Sequence, residues 1–218
     1  MSEARDDILG RVRGALGRDP ATVAARRQAL TASLASPNCG PRPQPVGDLV
    51  QRFAERSRSM SSTIDTLATT NEVPAAVARY LADGALGSTA VCWPSLAALD
   101  WAGAGLEVAA RAATGQDLVG ITGVFCAIAE TGTLMLLSGP ETAATTSLLP
   151  ETHIAVVPAA RVVADMEAAF ALLRAEHGSL PRAVNFVSGP SRTGDIEQTI
   201  VLGAHGPYRV HLLIVSGD

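Results

Sequence analysis

The 218 residues are 47% apolar and only 17% charged, a balance that suits a globular domain with a sizeable core and excludes disordered or fibrous classes. A formal charge of −4 gives no sign of a basic stripe to neutralise phosphates, which argues against nucleic-acid binding. Every one of the 17 basic residues is arginine, so Schiff-base chemistry on a lysine and a P-loop lysine are excluded too.

The first segment, "MSEARDDILGRVRGALG", carries acids where a signal peptide would be basic and lacks a continuous apolar region. No run approaches the roughly 18 apolar residues of a membrane span, so the expectation is a cytoplasmic protein without membrane contact. Ile8, Leu9, Val12 and Leu16 fall at helical spacing and predict a short amphipathic helix over 3–16. "SPNCGPRPQP" (36–45) concentrates proline and glycine and marks a linker. The division is therefore an amino-terminal helical arm with its linker, 1–45, and a main domain, 46–218.

Leu49, Val50, Phe53, Met60, Ile64 and Leu67 suggest a long helix from about 46 to 68. "VPAAVARYLAD" predicts another, with Pro74 tolerated in its first turn. From residue 88 onward short β-rich runs follow: 89–93, 106–110, 118–122, 134–138, 153–158, 183–188 and 208–215. Several are apolar on both faces, as strands buried between helical layers are. "VADMEAAFALLRAEH" (163–177) and "DIEQTIVLG" (195–203) read as the crossover helices of a parallel βαβαβ segment. The fold class is α/β.

Three stretches carry candidate chemistry. "SGPSRTGDIE" (188–197) follows the 183–188 strand and precedes a predicted helix. Gly189 permits close backbone approach, Ser191 and Thr193 offer hydroxyls, and Arg192 offers a fork for a carboxylate or phosphate at an amide-lined helix entrance. The alternative is that Ser191, Thr193 or Asp195 merely caps that helix while Arg192 points into solvent. In "AIAETGTLMLLSG" (127–139) two strands meet at Glu130, Thr131, Gly132 and Thr133, where Gly132 can take a positive φ. Glu130 follows an apolar run, and a partly buried carboxylate is suited to general-base duty, although an acid at a turn is more often simply solvated. His205 in "GAHGPY" (203–208) is a further acid–base candidate, but a helix over 195–203 would hold it away from Arg192.

Cys39, Cys92 and Cys126 lack CxxC spacing, and His153, His177 and His211 lack metal-ligand spacing. The pattern argues against a disulfide framework, a structural zinc site and a self-contained iron–sulfur cluster. "GAGLEV" (103–108) lacks the third glycine of a dinucleotide fingerprint. No metal and no cofactor are expected, and the thiols should be reduced.

In order and spacing, "GIT" (120–122), "AIAETGTLML" (127–136), "LLPETHIAVV" (148–157), "SGPSRTGDIE" (188–197) and "GAHGP" (203–207) resemble the LUD domain, specifically the lactate-utilisation protein C (LutC/YkgG) family. The resemblance implies a three-layer, mostly parallel α/β fold of the NagB/RpiA/CoA-transferase type. It also implies a part in converting L-lactate to pyruvate beside iron–sulfur partner proteins. Oxidising lactate removes two electrons, which an acceptor has to receive; a substrate-handling or accessory component follows, with Arg192 gripping a small anionic ligand and Glu130 available as a base. The alternatives are a free-standing transferase or isomerase of the same fold, acting on an acyl-CoA or sugar phosphate through Glu130, and a pure interaction module.

Overall fold

The computed structural model describes residues 2–17, 20–35, 40–41, 47–196 and 199–217. Two compact units divide the chain, Met1–Pro43 and Gln44–Asp218. The first holds α1 (Ser2–Ala15), the amphipathic helix that its spacing predicts, and α2 (Pro20–Ala35). Ile8, Val12 and Leu16 are exposed. Periodicity gives no hint of α2, whose alanine-rich sequence with proline at its start favours a helix through propensity instead. Most of the proline-rich linker, Cys39 included, lies outside the described residues.

The second unit opens with α3 (Leu49–Ser59), β1 (Thr63–Leu67), α4 (Val73–Asp83), β2 (Thr89–Cys92), β3 (Glu107–Ala110) and β4 (Val119–Thr122). There follow β5 (Cys126–Ile128), β6 (Thr133–Leu137), α5 (Thr145–Leu148), β7 (Thr152–Pro158), β8 (Val162–Val163) and α6 (Met166–His177). The chain finishes with β9 (Val184–Val187), β10 (Arg192–Ile196), β11 (Thr199–Leu202) and β12 (Arg209–Val215).

A six-stranded sheet in the order β1-β12-β7-β4-β2-β3 is parallel throughout. Such a sheet needs both faces covered. On one face Ile121, Ile154, Val156, Leu213 and Val215 pack against Val73, Val77 and Leu81 of α4. On the other, Ala155, Val157, Leu212 and Ile214 meet Phe53 of α3 together with Ala127 and Leu134 of a second sheet. That smaller sheet, β8-β5-β6-β9, is mixed, and α6 closes its outer side through Ala169 and Leu173 on Ile128 and Met135. Each fully buried aliphatic side chain contributes roughly 1.5–3 kcal/mol, so these interlocking clusters dominate stability. The architecture is α/β with a parallel central sheet, in the class that the sequence predicts.

Three expectations need correction. The long helix over 46–68 stops at Ser59: the Met60 amide donates to the Arg56 and Ser57 carbonyls, and Ser61 takes φ 69°, which turns the chain into β1. Met60, Ile64 and Leu67 mimic helical spacing, but Thr63, Ile64 and Thr66 are β-branched and run as a strand. The helix over 195–203 is absent from the described residues there; β10 and β11 form an antiparallel ribbon in its place, where Thr199, Ile200 and Val201 favour strand. Finally, β9 is not part of the parallel sheet but pairs antiparallel with β6.

Two histidines lie inside the domain. His153 on β7 shares a hydrogen bond of 2.8 Å with Thr122, and His211 on β12 shares one of 2.8 Å with Thr63 while stacking on Tyr80. Burial pushes both from 6.5 down to about 4, Asp65 opposing the shift at His211 and Arg79 adding to it. Between those values the unfolded chain binds more protons than the folded one, so stability is full above about pH 6.5 and is lost as pH falls toward 4. Urea unfolding at stepped pH checks this; stability that stays level or rises on acidification through that window contradicts it.

Candidate functional site

The loops singled out in the sequence do come together, at the end of the central sheet where its strands begin. Glu130, Thr131 and Gly132 form the tip between antiparallel β5 and β6, with Gly132 at φ 65° as the turn requires. The Ser57 hydroxyl donates to the Gly132 carbonyl at 3.3 Å, and a Cβ on Gly132 would lie 2.6 Å from the Ser57 nitrogen. Thr133 is buried, and its hydroxyl is 2.7 Å from those of both Thr131 and Ser188. Gly189, at φ 75°, presses on the α3–β1 turn so closely that a Cβ would sit 2.2 Å from the Met60 carbonyl oxygen. Arg192, although exposed, donates to the Ser61 hydroxyl and, at 3.5 Å, to the Met60 carbonyl.

This clasp differs from the predicted cradle in its physical basis. Among the described residues no helix follows Arg192, so no helix entrance lends its amides and dipole to an anion. Ser191 donates its amide to the Pro207 carbonyl and accepts the Gly203 amide, each at 2.9 Å. The ribbon therefore folds back and brings the 203–207 turn beside Ser191, where a helix would have separated them. His205 in that turn is exposed. Thr193 is buried on β10, and Asp195 lies on the same strand. Glu130 is half-buried, its amide donating to the Ala164 carbonyl at 3.0 Å. Gly132 thus packs on α3, Gly189 and Arg192 on the turn that follows it, and Thr133 joins the hairpin tip to Ser188, while Ser191 pairs with the 203–207 turn.

The opposite edge of the sheet presents a different arrangement. From β2 the chain moves outward to β3, returns to the other flank of β2 as β4, and then proceeds through β7 to β12. The boundary between β2 and β4 is therefore a topological switch point, and open α/β sheets bind ligands in the crevice beyond the carboxyl ends there. Trp93 and Gly123, the residues that follow those two strands, line a cavity of about 620 Å³. Phe125, Ser138, Glu141 and Thr142 form further parts of its wall, as do Arg161 and His177.

Arg161 is the cation of this wall. It forms a two-pronged ion pair with Glu176 at 2.6 and 2.9 Å, and its guanidinium carbon lies 5.1 Å from the centre of the Phe125 ring. The fork holds the Glu176 carboxyl below its usual range. His177 meets the same ring edge-on at 5.6 Å, and the Trp93 indole donates to the Ala143 carbonyl at 3.1 Å. Gly120 on β4, three residues before Gly123, has no Cβ, and the Thr146 carbonyl occupies that space: a Cβ would lie 2.0 Å from it. Sequence patterns miss Trp93 and Arg161 because each is isolated in the chain; the order of the strands is what joins them.

Residues 50–215 match the LUD domain. The chain belongs to the LUD domain family. Relatives called lactate utilization protein C include those of Bacillus licheniformis, 36% identical over 57% of this chain and 53% of the relative, and Bacillus subtilis, 38% identical over 46% and 43%. The protein of that name from Halalkalibacterium halodurans is 40% identical over 46% and 45%. The chain spans about half the length of the curated relatives it matches. A crystal structure of a DUF162 family protein from Deinococcus radiodurans shares the LUD domain fold, with a TM-score of 0.59 and 22% identity over 78% of this chain and 99% of that one.

The clasp predicts its own sensitivity. Gly132→Ala and Gly189→Ala should each lower stability by about 2–3 kcal/mol, because backbone must move to admit a Cβ. Gly194→Ala, with open space around it, should stay within about 0.5 kcal/mol. Thermal unfolding of the three variants tests the contrast, and equal effects would refute it.

Proposed function

We propose that this LUD domain handles a small organic acid within a lactate-utilisation system, cytoplasmic iron–sulfur partner proteins carrying the electrons, and that the acid binds in the cavity between the carboxyl ends of β2 and β4. One observation carries the reading: the cavity opens at the switch point of the parallel sheet and has Arg161 in its wall. The names of the relatives point to lactate as the substrate, and two-electron oxidation of its hydroxyl would yield pyruvate. A guanidinium suits a carboxylate by charge and by its planar array of donors. Two electrons must leave lactate for an acceptor, and the scattered cysteines of this chain suggest that a cluster is supplied by a partner.

The ligand contacts in this reading move from Arg192 and Glu130 to Arg161 and its neighbours. Titrating the full chain with L-lactate or pyruvate, followed through tryptophan fluorescence, should give saturable binding because Trp93 forms part of the wall. Arg161→Gln should weaken that binding at least about tenfold, the loss expected for a charge-assisted hydrogen bond. Arg192→Gln should change it less than about twofold. Loss of binding in Arg192→Gln with Arg161→Gln unaffected would return the ligand to the clasp, and no binding of either acid would end the proposal.

A further inference from the structure

The cavity is far roomier than a three-carbon acid needs. At about 620 Å³ it falls within the range of sites that enclose ligands of drug-like size, roughly 300–1,000 Å³. Its wall is also unevenly divided. Trp93, Val124, Phe125, Leu137, Pro140 and Pro181 supply a broad apolar surface. Arg161 is the one arginine among the lining residues. A lactate bound to that guanidinium would leave most of this surface against water.

The ion pair also determines how Arg161 can be used. Both Nη atoms engage Glu176, which lies outside the lining. A guanidinium has five N–H donors; with two given to Glu176, the remainder are available to a ligand acid. The side chains of Arg161 and Glu176 are 33% and 38% exposed, so the pair sits at the rim and is not sealed in the core. Glu176 acts here as a positioning residue: its two-pronged bond fixes the guanidinium, whose carbon lies 5.1 Å from the centre of the Phe125 ring.

Resting on the reading that this cavity binds an organic acid, we infer that its preferred ligand is a 2-hydroxy or 2-oxo acid with an aryl or branched apolar side chain. The carboxylate takes Arg161, and the side chain lies against Trp93 and Phe125. Gly123 then sets the size limit. A Cβ there would find Trp93 at 3.9 Å, an ordinary contact, so a side chain can be introduced without disturbing the backbone and will occupy ligand space.

The test is calorimetric titration of the full chain with 3-phenyllactate, phenylpyruvate, L-lactate and the neutral 3-phenylpropanol. The phenyl acids should bind at least about tenfold more tightly than L-lactate, a gain set by buried apolar area. Arg161→Gln should weaken the phenyl acids about tenfold while changing phenylpropanol less than about twofold. Glu176→Gln should weaken them by a smaller factor, about threefold, through lost orientation. Gly123→Val should abolish phenyl-acid binding and retain L-lactate, with Gly123→Ala reporting on folding. L-lactate binding as tightly as the phenyl acids overturns this inference but leaves the proposed function intact. Failure of every acid to bind overturns both. Tighter phenyl-acid binding in Glu176→Gln would make Glu176 a competitor for the fork and overturn its positioning role.

Discussion

An all-parallel sheet cannot leave a face wet, and most of this LUD domain follows from that constraint. Both faces of the central strands β7 and β12 carry aliphatic side chains, so two covers are required. α4 supplies one. The other is built from α3 and a second sheet, whose strands run from the carboxyl edge of the large sheet to its amino edge. β5 and β9 start beside the cavity and finish beside α3, and β6 makes the return journey. The cover therefore has two ends, and each end forms a distinct polar feature of the surface.

At the amino end the chain solves a packing problem among turns. Three segments approach within backbone contact, which only residues without side chains allow; Gly132 and Gly189 provide the room. Hydroxyls from Ser57, Thr131, Thr133 and Ser188 then satisfy one another and the backbone. Arg192 adds a tie of its own, giving N–H donors to a hydroxyl and a carbonyl oxygen. Glycines, hydroxyls and an arginine are also what a phosphate or carboxylate cradle would need, and this is why the segment invites a ligand-binding interpretation.

Much of the fold was legible from residues alone. Alternating or doubly apolar runs marked seven strands within a residue or two, the hairpin at Gly132 followed from its flanking strands, and Pro74 marked the start of α4. Failures came where local chemistry was ambiguous and distant pairing decided. Met60, Ile64 and Leu67 fit a helical stripe, yet pairing with β12 holds Thr63–Leu67 extended. Acids and hydroxyls before Thr199 imitate a helix cap, yet the chain pairs with itself as a ribbon. The cavity was invisible for a different reason. Trp93, Gly123 and Arg161 share no motif, and only the strand order places them together.

Gly120 shows how tightly the chain behind the cavity wall is packed. Its bare backbone admits the Thr146 carbonyl onto the sheet, and the same short segment holds Thr142 in the wall and offers Ala143 to the Trp93 indole. A methyl group at position 120 would act as a wedge, prising that segment upward and leaving the indole without its acceptor. The shape of the pocket is thus under the control of a residue that no ligand would ever touch.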